Sequence, residues 1–224
     1  MTQGKKHSRS AVAQTADRAS LRGTLRREIL KKTAASLLVG GIASMAPHAA
    51  RAQTSTPKPR KILVVYFSRT GNTRAVGEHI HGRVGGDLVE IRTTHSYPAD
   101  YRETTEQARR EQDSSVRPDL ASDVADITPY DTVFIGYPNW WGTLPMALFT
   151  FLDRHDLSGK TIVPFCTHEG SGLGRGPADI RAHCPAATVL AGLALRGGSG
   201  GYARSSAAGR DIDAWVKRLS LVPA

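Results

Sequence analysis

The chain has 224 residues, enough for one well-buried α/β domain with some residues left over. Its formal net charge of +10 would suit a nucleic-acid or membrane partner if the charge were spread evenly. However, residues 1–52 contain ten Lys and Arg and two acidic residues, a charge of +8, and the twenty basic and eighteen acidic residues that follow leave only +2. We therefore expect a nearly neutral folded domain and no nucleic-acid partner.

The basic segment leads into the features of an export signal. Residues 33–46 form a moderately apolar stretch, and Ala50-Arg51-Ala52 has the small-residue spacing of a cleavage site. The stretch is too short to cross a bilayer as a helix, so we expect no stable membrane insertion after cleavage. We interpret residues 1–52 as a signal peptide and residues 53–60, which read QTSTPKPR, as a linker to a folded domain at 61–219.

One part of the signal is more specific. Residues 26–31 read RREILK, which resembles the twin-arginine pattern with Ile in place of the more usual Phe. The alternatives are a generic secretory signal and a disordered basic tail. The resemblance implies a protein that folds around a cofactor before it is exported to the periplasm or secreted.

A strand that ends in a hydroxyl-rich turn follows the linker. In a turn of this kind at the start of a helix, backbone N–H groups converge on an anion and the helix dipole favours negative charge. The turn lacks the lysine of a nucleoside-triphosphate P-loop and the glycine pattern of a dinucleotide site. What remains is a monophosphate site or an ordinary strand-to-helix turn, formed by Ser68, Arg69, Thr70, Gly71, Asn72 and Thr73.

Strands and helices are predicted to alternate along the rest of the domain. Strands are predicted at 61–67, 87–91, 131–137, 160–166 and 188–195. Helices are predicted at 73–84, 101–114, 146–153, 178–183 and 207–219, the second of them polar enough to lie on the surface. This alternation predicts an α/β fold with right-handed crossovers and a five-stranded parallel sheet between two layers of helices.

The loops after the third and fourth strands are the other unusual segments. Adjacent tryptophans beside a proline are hard to place in a core together, although one could be buried and the other could cap the sheet edge. The glycine-rich loop after the fourth strand offers main-chain N–H groups to a polar ligand edge, but a flexible surface loop would look similar. The candidate residues are Pro138, Asn139, Trp140, Trp141 and Gly142 in the first loop, and Thr167, His168, Glu169, Gly170, Ser171 and Gly172 in the second.

These loops together resemble one family. Ser68, Thr70, Gly71 and Thr73 match the [ST]-x-T-G-x-T turn of the flavodoxin-like family, and the segment at 137–142, YPNWWG, is similar to a bacterial subfamily of small FMN proteins. The resemblance covers about residues 61–219. It implies a doubly wound, three-layer αβα sheet of order 2-1-3-4-5, with the ligand where the order reverses, beyond the carboxyl ends of the strands.

The resemblance also implies FMN as the cofactor. The phosphate is expected on residues 68–73, the isoalloxazine ring against Trp140 or Trp141, and the polar ring edge near residues 167–172. The family further implies that Gly142 can reorient its peptide when a ring nitrogen changes protonation. His168 and Glu169 stand where many relatives carry small residues, so this chain departs from the family at the ring edge.

Cysteine and histidine give weaker signals. An even cysteine count in an exported chain permits a disulfide between Cys166 and Cys184, but the place of Cys166 at the end of a buried strand favours apolar packing. No cluster has metal-ligand spacing. His79 and His81 are expected on the helix surface, and His168 is either a proton donor to a substrate or an ordinary loop residue.

Two kinds of redox flavoprotein fit these features, and neither requires a catalytic side chain that the sequence identifies. An electron carrier needs an exposed flavin edge and a docking face, whereas an FMN-dependent NAD(P)H or quinone oxidoreductase needs room for a second planar ligand. Export favours the carrier, since reduced nicotinamides are scarce outside the cytoplasm. We expect a redox partner protein or a small acceptor such as a quinone. A cofactor-free binding domain is the third alternative.

Overall fold

The computed structural model describes residues 61–198 and 201–221. The predicted signal peptide and linker at 1–60 lie outside these residues. The elements, in chain order, are β1 (Ile62–Tyr66), α1 (Asn72–Val84), β2 (Asp87–Glu90), β3 (Arg92–Thr93), α2 (Tyr101–Asp113), β4 (Leu120–Ser122), β5 (Thr132–Pro138), α3 (Met146–Arg154), β6 (Thr161–His168), α4 (Gly176–His183), β7 (Thr188–Val189), β8 (Leu193–Arg196), a 3-10 turn (Tyr202–Arg204) and α5 (Ser206–Arg218).

The main sheet is parallel and has the order β2-β1-β5-β6-β7, with β8 also paired to β6. This is the predicted order 2-1-3-4-5, and the prediction of a doubly wound α/β fold is confirmed. Successive residues of β1 belong to opposite sides of the sheet: Leu63 and Val65 pack in one core cluster, Ile62 and Val64 in the other. Helices cover both faces, which explains why the central strands are apolar nearly throughout.

The predicted fifth strand at 188–195 is wrong as one continuous element, because it is divided into β7 and β8. In a parallel strand, the backbone N–H and C=O groups of every second residue point toward the same neighbouring strand. The carbonyl of Ile162 accepts from the amide of Leu190, so Pro164, two residues later, faces the same strand. Proline has no N–H to donate, and pairing is interrupted there until Leu193 pairs with Phe165.

A small second sheet was not predicted. β3 and β4 pair antiparallel, with a register shift between Arg92 and Thr93. Two and three residues are too few to show an alternating pattern, so the sequence carried no usable signal for them. Within the described residues, no helix combines the length and apolar character needed to cross a membrane.

Candidate functional site

The turn between β1 and α1 is held by a serine and a glycine. The Ser68 hydroxyl accepts hydrogen bonds from the amides of Gly71 and Arg74, at 3.1 and 3.2 Å. Gly71 has a φ of 85°, a left-handed conformation that favours glycine. Ser68 therefore holds the turn together by accepting two of its N–H groups.

Other amides of the same turn remain available. The N–H groups of Thr70, Asn72 and Thr73 have no hydrogen-bond acceptor within residues 61–198 and 201–221. Asn72 and Thr73 are themselves buried, and the Thr73 hydroxyl lies 2.8 Å from the hydroxyl of Thr167 at the end of β6. Unpaired amides at a helix N-terminus favour an anion. The hydroxyl pair joins this turn to the glycine-rich loop.

Asn139 ties the loop after β5 to the loop after β6. Its side-chain amide donates to the Gly172 carbonyl at 2.8 Å and accepts from the Gly142 amide at 3.0 Å, while its backbone amide donates to Thr167 at 2.8 Å. Gly142 adopts a left-handed φ of 85°, as its place in the tight turn requires. The two loops therefore form one connected rim.

The two tryptophans have different environments. Trp140 is half-buried and makes edge-to-face contacts with Phe67 and Tyr97, with centroid distances of 5.3 and 4.9 Å. Trp141 is 49% exposed, and its indole N–H donates to the Thr105 carbonyl of α2 at 2.9 Å. The Arg109 guanidinium lies 5.1 Å from the Trp141 ring centroid. Neither indole is fully buried, so both offer aromatic surface at the rim.

His168 is oriented by a backbone donor. The Gly170 amide donates to its Nδ1 at 2.8 Å, so the neutral ring carries its proton on Nε2. Burial, followed by the nearby Arg196 charge, lowers the pKa of His168. The arrangement favours the neutral imidazole, whose Nε2 has no hydrogen-bond partner within residues 61–198 and 201–221.

These loops enclose a cavity of about 830 Å³, within the range of ligand pockets. Most predicted site residues line it: Arg69, Thr70, Asn72, Thr73, Pro138, Asn139, Trp140, Trp141, Thr167, His168, Glu169 and Ser171. Five predicted residues do not. They are Ser68, which holds the turn, and four glycines of positive φ that shape the loops, Gly71, Gly142, Gly170 and Gly172.

Two further groups line the cavity that sequence reasoning missed. One group lies on α2 and forms a wall of the cavity. Small residues interrupt this otherwise charged helix, and that pattern could have identified the side of α2 that faces the site. The other group follows β8. No local sequence pattern marks these residues as part of the site, because they reach the cavity only through tertiary contacts with the turn after β1. These residues are Tyr101, Thr104, Thr105 and Ala108 from α2, and Gly197, Gly198 and Arg204 from the later segment.

The other candidate residues lie elsewhere. Cys166 and Cys184 are free and buried, and the Cys166 thiol donates to the Gly172 carbonyl at 3.1 Å. His79 and His81 are both partly exposed on α1, and the Nε2 of His79 lies 2.7 Å from the Asp213 carboxylate of α5. The described part of the chain contains no cluster of three or more His, Cys, Asp or Glu that could hold a metal ion.

Comparison with known proteins gives a consistent result. Residues 61–218 match a family model described as flavodoxin. The chain is 34% identical to a protein assigned as a flavoprotein from Bacteroides eggerthii (TM-score 0.61), with 70% of this chain and 96% of that chain covered. It is 30% identical to another from Bacteroides uniformis (TM-score 0.61; 71% and 99% covered).

A third solved structure supports the fold. It is a flavoprotein from Lactobacillus acidophilus in complex with FMN, 24% identical to this chain, with a TM-score of 0.54 and 61% and 93% of the two chains covered. None of the curated proteins compared with the chain matches it.

Proposed function

This chain belongs to the flavodoxin family, a family of FMN-binding proteins, and we propose that it holds FMN in the cavity described above and transfers electrons between redox partners. The observation that carries the proposal is that one cavity is lined both by a helix-start turn with free amides and by two tryptophans and a rim of polar groups. When bound, FMN supplies one- and two-electron transfer chemistry.

The residues around the turn between β1 and α1 fit a monophosphate. The free amides of Thr70, Asn72 and Thr73 would donate to it, and the Arg69 and Arg204 side chains line the same cavity. Hydrogen bonds from N–H groups to an anion are stronger than those between neutral groups. This part of the cavity thus suits a phosphate and a cofactor that carries one.

The residues from the loops after β5 and β6 fit a flat aromatic ring with a polar edge. Trp140 and Trp141 provide apolar surface for the ring, while Ser171 and the Nε2 of His168 are polar groups next to it. The Lactobacillus acidophilus flavoprotein, which has the same fold, was solved in complex with FMN, and this supports the same ligand here. Trp140 is further fixed by Phe67 and Tyr97, so the ring would meet a rigid wall.

The cofactor proposal is tested by reconstitution. Purified protein should be yellow, or should take up FMN from solution and quench its fluorescence with a stoichiometry of one per chain. A protein that is colourless and takes up no FMN would contradict the proposal and would favour a cofactor-free binding domain.

A reductase is the second candidate, and one observation favours it. Tyr101 and Trp141 are 70% and 49% exposed, and both line the cavity, so its mouth could receive a planar acceptor. The test is steady-state oxidation of NADH and NADPH by the FMN-loaded protein with quinone acceptors. We expect negligible turnover for a carrier, whereas turnover of tens per second would identify a reductase.

We also propose that the chain is exported by the twin-arginine route, which its sequence at 26–31 supports. A matched pair of chains, native and Arg26→Lys/Arg27→Lys, should differ in cell fractionation, with the native chain in the periplasm and the variant retained in the cytoplasm. Equal export of both chains would contradict this route.

A further inference from the structure

We propose that Arg204 makes the cavity selective for a phosphorylated flavin over an unphosphorylated one. The inference rests on the proposed FMN function and goes beyond it by assigning a specificity-determining residue. Arg204 is distant in sequence from the turn it contacts, and the flavodoxin-like turn motif does not include it.

Arg204 lies directly against the turn between β1 and α1. The Arg204 guanidinium donates through Nε to the Asn72 side-chain oxygen at 2.8 Å and through Nη2 to the Thr70 carbonyl. A β-carbon added at Gly71 would lie 3.5 Å from the same Nη2. The charge therefore lies against the turn whose free amides belong to Thr70, Asn72 and Thr73.

The charge of Arg204 is not balanced by an ion pair. Among the described residues, no carboxylate forms an ion pair with Arg204 or with Arg69, whose guanidinium contacts the carbonyls of Pro98 and Ala99. Arg74, one turn further along α1, is by contrast paired with Glu90 at 2.6 Å. Two guanidinium groups at this part of the cavity thus lack a negative partner, which a phosphate dianion would supply.

Arg204 also has N–H donors that make no hydrogen bond. A guanidinium carries five N–H groups, and the two contacts of Arg204 leave the Nη1 group without an acceptor in the described part of the chain. Asn72 and Thr70 fix the plane of the group, so the remaining N–H groups are preorganised. Arg204 is therefore placed to bind an anion as well as to hold the 3-10 turn against α1.

The experiment separates these two roles by using two ligands. The dissociation constants of FMN and of riboflavin are measured by flavin fluorescence quenching for the native chain, Arg204→Gln, Arg204→Lys and the control Arg210→Gln. Arg210 is exposed on α5 and does not line the cavity, so its replacement removes the same charge elsewhere. Circular dichroism verifies that each variant is folded.

We expect Arg204→Gln to weaken FMN binding by about 10- to 100-fold, the loss typical of a charge-assisted hydrogen bond, with riboflavin affinity nearly unchanged. Arg204→Lys should retain part of the preference, because it keeps the charge but not the planar fork. Arg210→Gln should leave both constants unchanged. In the native chain, raising the salt concentration should weaken FMN binding more than riboflavin binding.

Three results would overturn the proposal. An equal loss for both flavins in Arg204→Gln would mean that Arg204 acts only as a structural clamp. An unchanged FMN constant would mean that the amides and Arg69 bind the phosphate without Arg204. If Arg204→Gln does not fold, the native chain can still overturn the proposal, because equal salt dependence for the two flavins would exclude a charge effect. A native chain that binds neither flavin would instead refute the proposed function itself.

Discussion

The Gly170 amide donates to Nδ1 of His168 and so fixes the tautomer of the neutral ring. Burial and Arg196 lower its pKa below the ordinary value of 6.5. The unfolded chain therefore binds a proton at higher pH than the folded chain does. Stability contributed by the neutral ring is complete above the unfolded pKa and declines as the pH falls below about 6.5.

We expect His168 to titrate below pH 6.5 and to carry its proton on Nε2 at neutral pH. Nitrogen NMR of the imidazole measures both properties. The variant His168→Gln should show a smaller loss of stability between about pH 7 and pH 5 in urea unfolding than the native chain. A pKa above the ordinary value, or a proton on Nδ1, would contradict this description of the loop.

Cys166 is expected to be chemically inert. Burial raises its pKa to about 12, so the reactive thiolate is scarce at neutral pH, and its thiol is already bound to the Gly172 carbonyl. In a Cys184→Ser variant, the remaining thiol should react with a disulfide reagent only after unfolding. Rapid reaction in the folded protein would show that the loop at 170–172 opens readily.

Side chains on adjacent central strands of the sheet are tightly packed. A β-carbon on Gly136 in β5 would lie 2.1 Å from the Phe165 ring of β6, closer than atoms can approach. A β-carbon on Gly82, on the exposed side of α1, would have no atom within 4 Å. The same substitution should therefore have opposite effects in these two elements.

We expect Gly136→Ala to destabilise the protein by about 1–3 kcal/mol, because the buried ring must move. Gly82→Ala should stabilise it by about 0.5–1 kcal/mol, because alanine is the better helix former and no contact is strained. Chemical denaturation of the two variants measures both changes. If the two substitutions have equal effects, or if Gly136→Ala does not lower the free energy of unfolding, the strands are packed less tightly than the structure indicates.

The charge balance of the whole folded part distinguishes this protein from strongly acidic flavodoxins. Residues 61–219 carry eighteen basic and eighteen acidic residues and so no net charge, whereas an acidic surface attracts basic partners and disfavours added negative charge on a bound cofactor. A nearly neutral molecule lacks both effects. Its binding to partners should depend on short-range interactions at the interface rather than on long-range electrostatic attraction.

We therefore expect the FMN-loaded protein to have a higher reduction potential than strongly acidic flavodoxins. Its rate of electron exchange with a charged partner should also change little with ionic strength. A redox titration and stopped-flow kinetics at two salt concentrations measure these properties. A very low potential, or a steep salt dependence of the rate, would contradict the expectation.

Much of this molecule could be predicted because its signals are local. The apolar strands, the helices between them and the turn at 68–73 follow from periodicity and from the residues that a turn requires. The gap between β7 and β8 could not be predicted from their own residues, because Pro164 on the adjacent strand causes it. Pairing across a sheet links residues that are distant along the chain.

The sequence by itself determined the α/β class, the strand order expected from its resemblance, and most of the residues that line the cavity, since each loop sits directly after its strand. Only the tertiary structure decided that Ser68 holds the turn rather than lining the cavity, and that α2 forms a wall. It also brought Arg204 onto the turn of Thr70 and Asn72. These outcomes depend on contacts between segments far apart in the chain, which no local pattern encodes.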